Sequence, residues 1–315
     1  RRIHPGRLTT ATLNIAIRTS NKYRHIELTK KKTYYIIRNH TKEDDIMKKK
    51  CSAFFSVCLM VAFLFGQSGL IGARAATPSS KGKLAIAEMK KMYNITWTSN
   101  TYPEVEIYGL KYKCGTRYKG MPYTQYWNAR NKTYSEFLSD PAMVYAAPIY
   151  RYFLSQPKNP DGTKRELGND CSAAVAAAWR AAGSGVSKSI STGSMYNAAI
   201  SSTGCMKKRG SYGGSDTKTT RGWLTSSNYI SVFSALKPGD VCFYHTKKSD
   251  GTHTGHAILI TDVNTTSKTV SYIDQIGKQW RIDSAAHSTW TSGTKSFWSL
   301  YSDGYVPITT SDITI

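Results

Sequence analysis

Residues 168–183 read GNDCSAAVAAAWRAAG, and no other stretch limits the fold of this chain so strongly. Alanine has the highest helix propensity, and Val175 and Trp179, four residues apart, share one face. Asn169 and Asp170 are good capping residues before the run, and Gly183 is a good stop after it. The sequence therefore predicts a helix whose first turn carries Cys171. Unpaired N–H groups and the positive end of the helix dipole favour a thiolate there, which makes Cys171 a candidate nucleophile. The competing reading is a small buried apolar residue beside an alanine-rich helix.

The first 75 residues of the 315 read differently from the rest. Met47 and three lysines precede an apolar run from Cys51 to Gly66, and Ala73-Arg74-Ala75 follows. A basic start, an apolar middle and a small-x-small site are the parts of a secretory signal peptide, expected over 47–75. The apolar run is shorter than the ~20 residues a spanning helix needs, so a cleaved leader is expected and no lasting membrane anchor. Residues 1–46 lie upstream of Met47 and are expected to be untranslated. Lys42-Glu43-Asp44 can be encoded by a purine-rich string resembling a bacterial ribosome-binding site.

Residues 76–315 carry 28 Lys+Arg against 16 Asp+Glu, an excess of +12 that suits an anionic setting such as a bacterial cell wall. Without a helical basic stripe, and with export expected, nucleic acid is not the expected partner. Four cysteines remain in this part: Cys114, Cys171, Cys205 and Cys242. A reactive Cys171 leaves at most one disulfide, for which Cys114 to Cys205 is the expectation, because Cys242 falls in an apolar strand. No Cys-x-x-Cys or histidine-rich spacing suggests a metal, and no cofactor is expected.

Along the chain, 77–82 reads as a flexible start and Leu84 to Tyr93 as one helical face, giving a short N-terminal segment over 76–110 before a main domain over 111–315. Tyr108, Tyr112, Tyr118, Tyr123, Tyr126 and Trp127 crowd a glycine-punctuated stretch that either lines a cleft or packs an irregular segment. Residues 134–154 show helical spacing broken at Pro141 and Pro148. The Ser/Gly/Thr-rich tract to Arg221 reads as a surface loop, helical only over Met195–Ile200, and its Lys207-Lys208-Arg209 cluster as a solvated face or an attraction for an acidic substrate. Apolar runs at 241–244, 256–263, 269–275 and 305–308 read as strands of an antiparallel sheet. Helices grouped before strands give the class α+β.

A thiolate that attacks an amide needs a base, and the base needs an orienting group. His4, His25 and His40 fall before the leader's end, leaving His245, His253, His256 and His287. His256 opens a strongly apolar strand that can hold its ring in place, whereas His245 and His253 read as lying in the polar turn around 247–251, whose mobility makes precise proton transfer harder. Asp262 lies six residues further along, about 20 Å away at ~3.3 Å per residue, too far to reach the ring. In the next strand Asp274 and Gln275 point to opposite faces, and one of them can meet His256. Asp274 is preferred, since a carboxylate stabilises an imidazolium and an amide only orients it.

Four elements in order resemble the NlpC/P60 superfamily of papain-fold cysteine peptidases and amidases. They are Gly120-Met121-Pro122-Tyr123, Asp170-Cys171-Ser172 with its small-residue helix, Leu236-Lys237-Pro238-Gly239-Asp240 before a strand, and Gly255-His256 opening the next. The resemblance covers about residues 118–280. It implies Cys171 as nucleophile, His256 as base, and Tyr123, Asp170, Ser172 and Gln275 at the substrate. Ala173 replaces the usual glycine, and a long insertion separates Tyr123 from Cys171. The third position is not the common histidine, and Tyr272-Ile273-Asp274-Gln275 is more similar to the related CHAP amidases, where an acidic residue orients the base. The expectation is a secreted, wall-associated, monomeric bacterial enzyme that cuts an amide in peptidoglycan stem peptides, at a D-glutamyl to diamino acid bond. An N-acetylmuramoyl-L-alanine amidase and a non-catalytic wall- or glycan-binding protein are the alternatives.

Overall fold

The computed structural model describes residues 76–313 except 127–129, 148–149, 160, 202–203 and 216. The upstream segment 1–46, the leader 47–75 and Trp127 lie outside the described residues. Helix α1 (Ser80–Asn94) starts earlier than its apolar pattern suggested, because Ser79 caps it by accepting the N–H of Gly82. It buries Ala85, Ile86, Met89 and Met92. Strands β1 (Thr96–Ser99), β2 (Glu104–Ile107), β3 (Leu110–Lys113) and β4 (Arg117–Lys119) follow. The segment 76–110 is thus built into the same unit, Ala73–Ile315, as the rest.

The helical expectation for 134–154 holds for one turn and a half only. A Thr133/Glu136 capping box starts α2 (Tyr134–Leu138), after which β5 (Met143–Ala147) and β6 (Tyr150–Phe153) form an antiparallel pair. Val144, Tyr152 and Phe153 are strand formers, and pairing with β1 outweighs the helical spacing. The result is a four-stranded sheet in the order β4-β1-β6-β5 around buried Trp97, with β2 and β3 as a separate hairpin.

The expected central helix is α3 (Cys171–Ala181), and every residue from Cys171 to Trp179 is buried. Then come α4 (Thr192–Ser201), β7 (Met206–Lys208), α5 (Tyr229–Ser234), β8 (Val241–Lys247), β9 (His253–Asn264) and β10 (Thr269–Gln275). The chain closes with α6 (Gln279–Asp283), β11 (Trp290–Ser296), α7 (Phe297–Ser302) and β12 (Val306–Thr310). Six strands make one antiparallel sheet in the order β11-β10-β9-β8-β12-β7. Helix α3 packs on β9 and β10 and against α1, which itself also meets β9 and β10. Trp179 pins it by donating from Nε1 to the Gly239 carbonyl before β8. The architecture is α+β.

Three further expectations are corrected. Cys114 and Cys205 are both free, because Cys114 sits in the turn before β4 and Cys205 beside β7, at the far edge of the other sheet. His245 and His253 are not in a mobile turn but in paired strands, where their rings hydrogen-bond each other at 3.2 Å. Apart from exposed Lys207, the Lys207–Arg209 cluster is not a solvated face: Arg209 pairs with buried Asp240 at 2.8 Å, and the Lys208 ammonium donates to the Tyr212 carbonyl.

Candidate active site

Strand β9 is paired on both sides, with β8 and β10. Tyr244 of β8 stands directly opposite His256. On the other side Ile273 faces Leu259, so one further step sets Asp274 opposite Ile258, on the face that His256 shares. The diagonal is closed by a 2.6 Å contact between His256 Nε2 and Asp274 Oδ2. Asp274, and not Gln275, therefore meets the ring.

With Nε2 engaged, Nδ1 is the ring nitrogen left for the sulfur. Burial opposes a charge on His256, but the charge at Cys171 and hydrogen bonding to Asp274 and Cys171 outweigh it and raise the imidazole to about 10. The three groups converge although Cys171 comes from a helix and the other two from the sheet on which it packs.

The start of α3 is held from several directions. Asp170 accepts the Ala173 N–H at 2.7 Å and the Ser172 hydroxyl at 2.8 Å through one carboxylate oxygen. Its other oxygen takes the Arg130 guanidinium at 2.6 Å, with both side chains more than nine-tenths buried. Asp170 and Ser172 therefore do not touch the cleft as expected. A capping carboxylate has to turn back onto the helix, and the hydroxyl follows it.

Tyr123 reaches the nucleophile despite the insertion between them. The strap Met121–Thr124 runs beside Asn169, with Asn169 N–H donating to the Pro122 carbonyl at 3.0 Å and Thr124 N–H to the Asn169 carbonyl at 2.9 Å. Gln275, on the face away from His256, locks this strap by donating to the carbonyls of Met121 and Pro122 and to the Thr289 hydroxyl. It positions the strap and is also among the residues that line the cleft. Burial, and then the charge at Cys171, hold the Tyr123 phenol well above its ordinary value, so it stays protonated.

Cys171, His256, Asp274 and Tyr123 line an open cleft of about 880 Å³. Arg221, at the end of the basic 205–221 tract, lines it as well, and so do Tyr244, Tyr305 and Lys278, which were not foreseen. Tyr244 could have been found from the β8–β9 hairpin, which sets it opposite His256, whereas Tyr305 enters from the end of the chain with no local signal. Of the aromatics over 108–127, exposed Tyr108 leans on Tyr123 at 6.0 Å, while Tyr112 and Tyr118 are buried against Trp97. His287 bonds the Ile282 carbonyl and takes no part in the cleft.

A sulfur, an imidazole and a carboxylate in sequence on the wall of an open cleft are the parts that nucleophilic acyl transfer uses. Among the described residues, no group of three or more His, Cys, Asp or Glu side chains is arranged to hold a metal ion, and no helix is long and apolar enough to cross a membrane. No protein-family model, curated protein or solved structure matches the chain.

Proposed function

We propose that this chain is a secreted cysteine hydrolase of papain-like, NlpC/P60-type fold that cleaves an amide bond in peptidoglycan stem peptides. The observation that carries the reading is the joining of Cys171, His256 and Asp274 at one cleft wall from three separate elements. Cys171 attacks the carbonyl carbon as thiolate. The N–H of Cys171, at the helix start and with no intrahelical acceptor, serves as a donor to the developing oxyanion. His256 gives its proton to the leaving amine and then takes one from the water that frees the acyl group, while Asp274 keeps the ring oriented and balances its charge. The leader over 47–75 and the excess of +12 over 76–315 support export to an anionic wall.

Digestion of purified bacterial wall, with mass spectrometry of the freed amine, tests this. Release of a diamino acid amine is expected, with Cys171→Ser at least ~10³-fold slower. An L-alanine amine instead identifies the muramoyl amidase. No release by the parent chain, with binding to the wall retained, refutes the hydrolase and leaves a wall-binding protein.

A further inference from the structure

A second groove, sharing no residue with the cleft around Cys171, lies between the C-terminal half of α1 and the four-stranded sheet. Its volume is about 760 Å³. Lys90 and Lys91 reach it from α1, Arg117 from β4 and Arg151 from β6, and among the described residues no carboxylate lines it. The nearest acid, Glu88, is buried behind it, where it accepts the Tyr134 N–H and stands 3.7 Å from Lys91. The two guanidinium groups are already oriented: Arg151 lies 4.4 Å over the Tyr145 ring, and Arg117 donates to the Thr96 hydroxyl. Guanidinium and ammonium groups held this way are suited to phosphate oxygens.

We propose that this groove binds a linear phosphodiester polyanion of the bacterial wall and so holds the protein on its substrate. Only the identity of the polymer rests on the wall reading of the proposed function. The size of the groove argues for a chain over a single ion, since a lone phosphate fills a small part of about 760 Å³. Four cations contributed by three elements, of which Lys91 also meets Glu88 at 3.7 Å, set the sign of the ligand and its multivalency. A ligand here leaves the cleft around Cys171 open, so attachment and hydrolysis can proceed together.

Fluorescence anisotropy of the full chain with a labelled glycerol-phosphate decamer, between about 50 and 200 mM salt, tests the proposal. Lys90→Glu, on the exposed side of α1, is expected to weaken binding about tenfold and to lower the slope of log K against log salt by about one. Lys90→Glu with Arg151→Glu should lower that slope by about two. Hydrolysis of a short uncharged stem peptide by Lys90→Glu should stay within about twofold of the parent, because Lys90 lies outside the cleft. Equal affinity of parent and Lys90→Glu overturns the proposal. So does binding of polyglutamate or single-stranded DNA of matched charge as tightly as the glycerol phosphate. A chain that binds the polymer through this groove yet frees no amine from the wall refutes the hydrolase and leaves the groove, and the reverse result refutes the groove alone.

Discussion

Replacing Asp274 with Asn removes one negative charge from beside His256 and keeps the side-chain shape. The contact is 2.6 Å, and the His256 side chain is 14 % exposed, so little water screens the pair. The imidazole stands at about 10 against an ordinary 6.5, about 3.5 units higher. The charge at Cys171 and the hydrogen bond to the Asp274 carboxylate share in favouring the charged ring. An opposite charge this close is worth ~1–3 units, so the His256 midpoint in Asp274→Asn should fall by that amount. Because the folded pKa is raised, the stabilisation is fully present below about 6.5 and is lost as pH rises through about 10. The variant should therefore be less stable than the parent by ~1.5–4 kcal/mol near pH 6, with the gap closing towards pH 10. Urea denaturation at both pH values and NMR titration of the ring measure this, and the alkaline limb of kcat/KM should move down with the ring. A midpoint displaced by less than ~0.5 unit, or equal destabilisation at both pH values, would refute the coupling.

Gly277→Ala should injure the cleft more than the fold: its Cβ would lie 2.3 Å from Cδ1 and Cε1 of Tyr123, whose strap is fixed to Asn169. A loss of about 1–3 kcal/mol in stability by denaturation and about tenfold in kcat/KM are expected, and unchanged kcat/KM would show that Tyr123 does not shape the site. Glu136 is partly buried and is held down to about 2, since its hydrogen bonds to Arg180, Thr133 and Lys188 outweigh the opposing effect of burial. Its stabilisation is present above about 4.5 and disappears as pH falls through about 2. One third of the side chain is exposed, so solvent screening limits the effect. Glu136→Gln should cost about 1 kcal/mol at neutral pH and nothing measurable in acid, read from denaturation midpoints.

Whatever depended on neighbours in sequence was legible before the structure. The alanine run, its Asp170 cap and the apolar strands of the larger sheet are local patterns, and they place Cys171 at a helix start and His256 on a strand. That only one of Asp274 and Gln275 can meet the ring came from side-chain alternation, which is also local, and the preference for Asp274 from the chemistry of a carboxylate beside an imidazolium. What escaped notice depends on pairing across the fold. Residues 143–153 carry a helical spacing that β1 overrides, and nothing near Asp170 announces Arg130. Tyr305 lines the cleft only because β12 pairs with β8. Asp170 and Ser172 were assigned to substrate because they flank the nucleophile, but adjacency in sequence sends alternate helix positions in different directions.

A neutral Asn would serve the end of α3 as well as Asp170 does, since the cap itself needs only an acceptor. The carboxylate answers a different demand, made by a guanidinium that arrives from 40 residues earlier in the chain. Removing the charge would take from that buried guanidinium the anion it meets at 2.6 Å, so the two stretches are spliced at this point. The location of the sulfur one residue further on is then inherited from both, and a change in the loop that bears Arg130 will be felt at Cys171 without touching it.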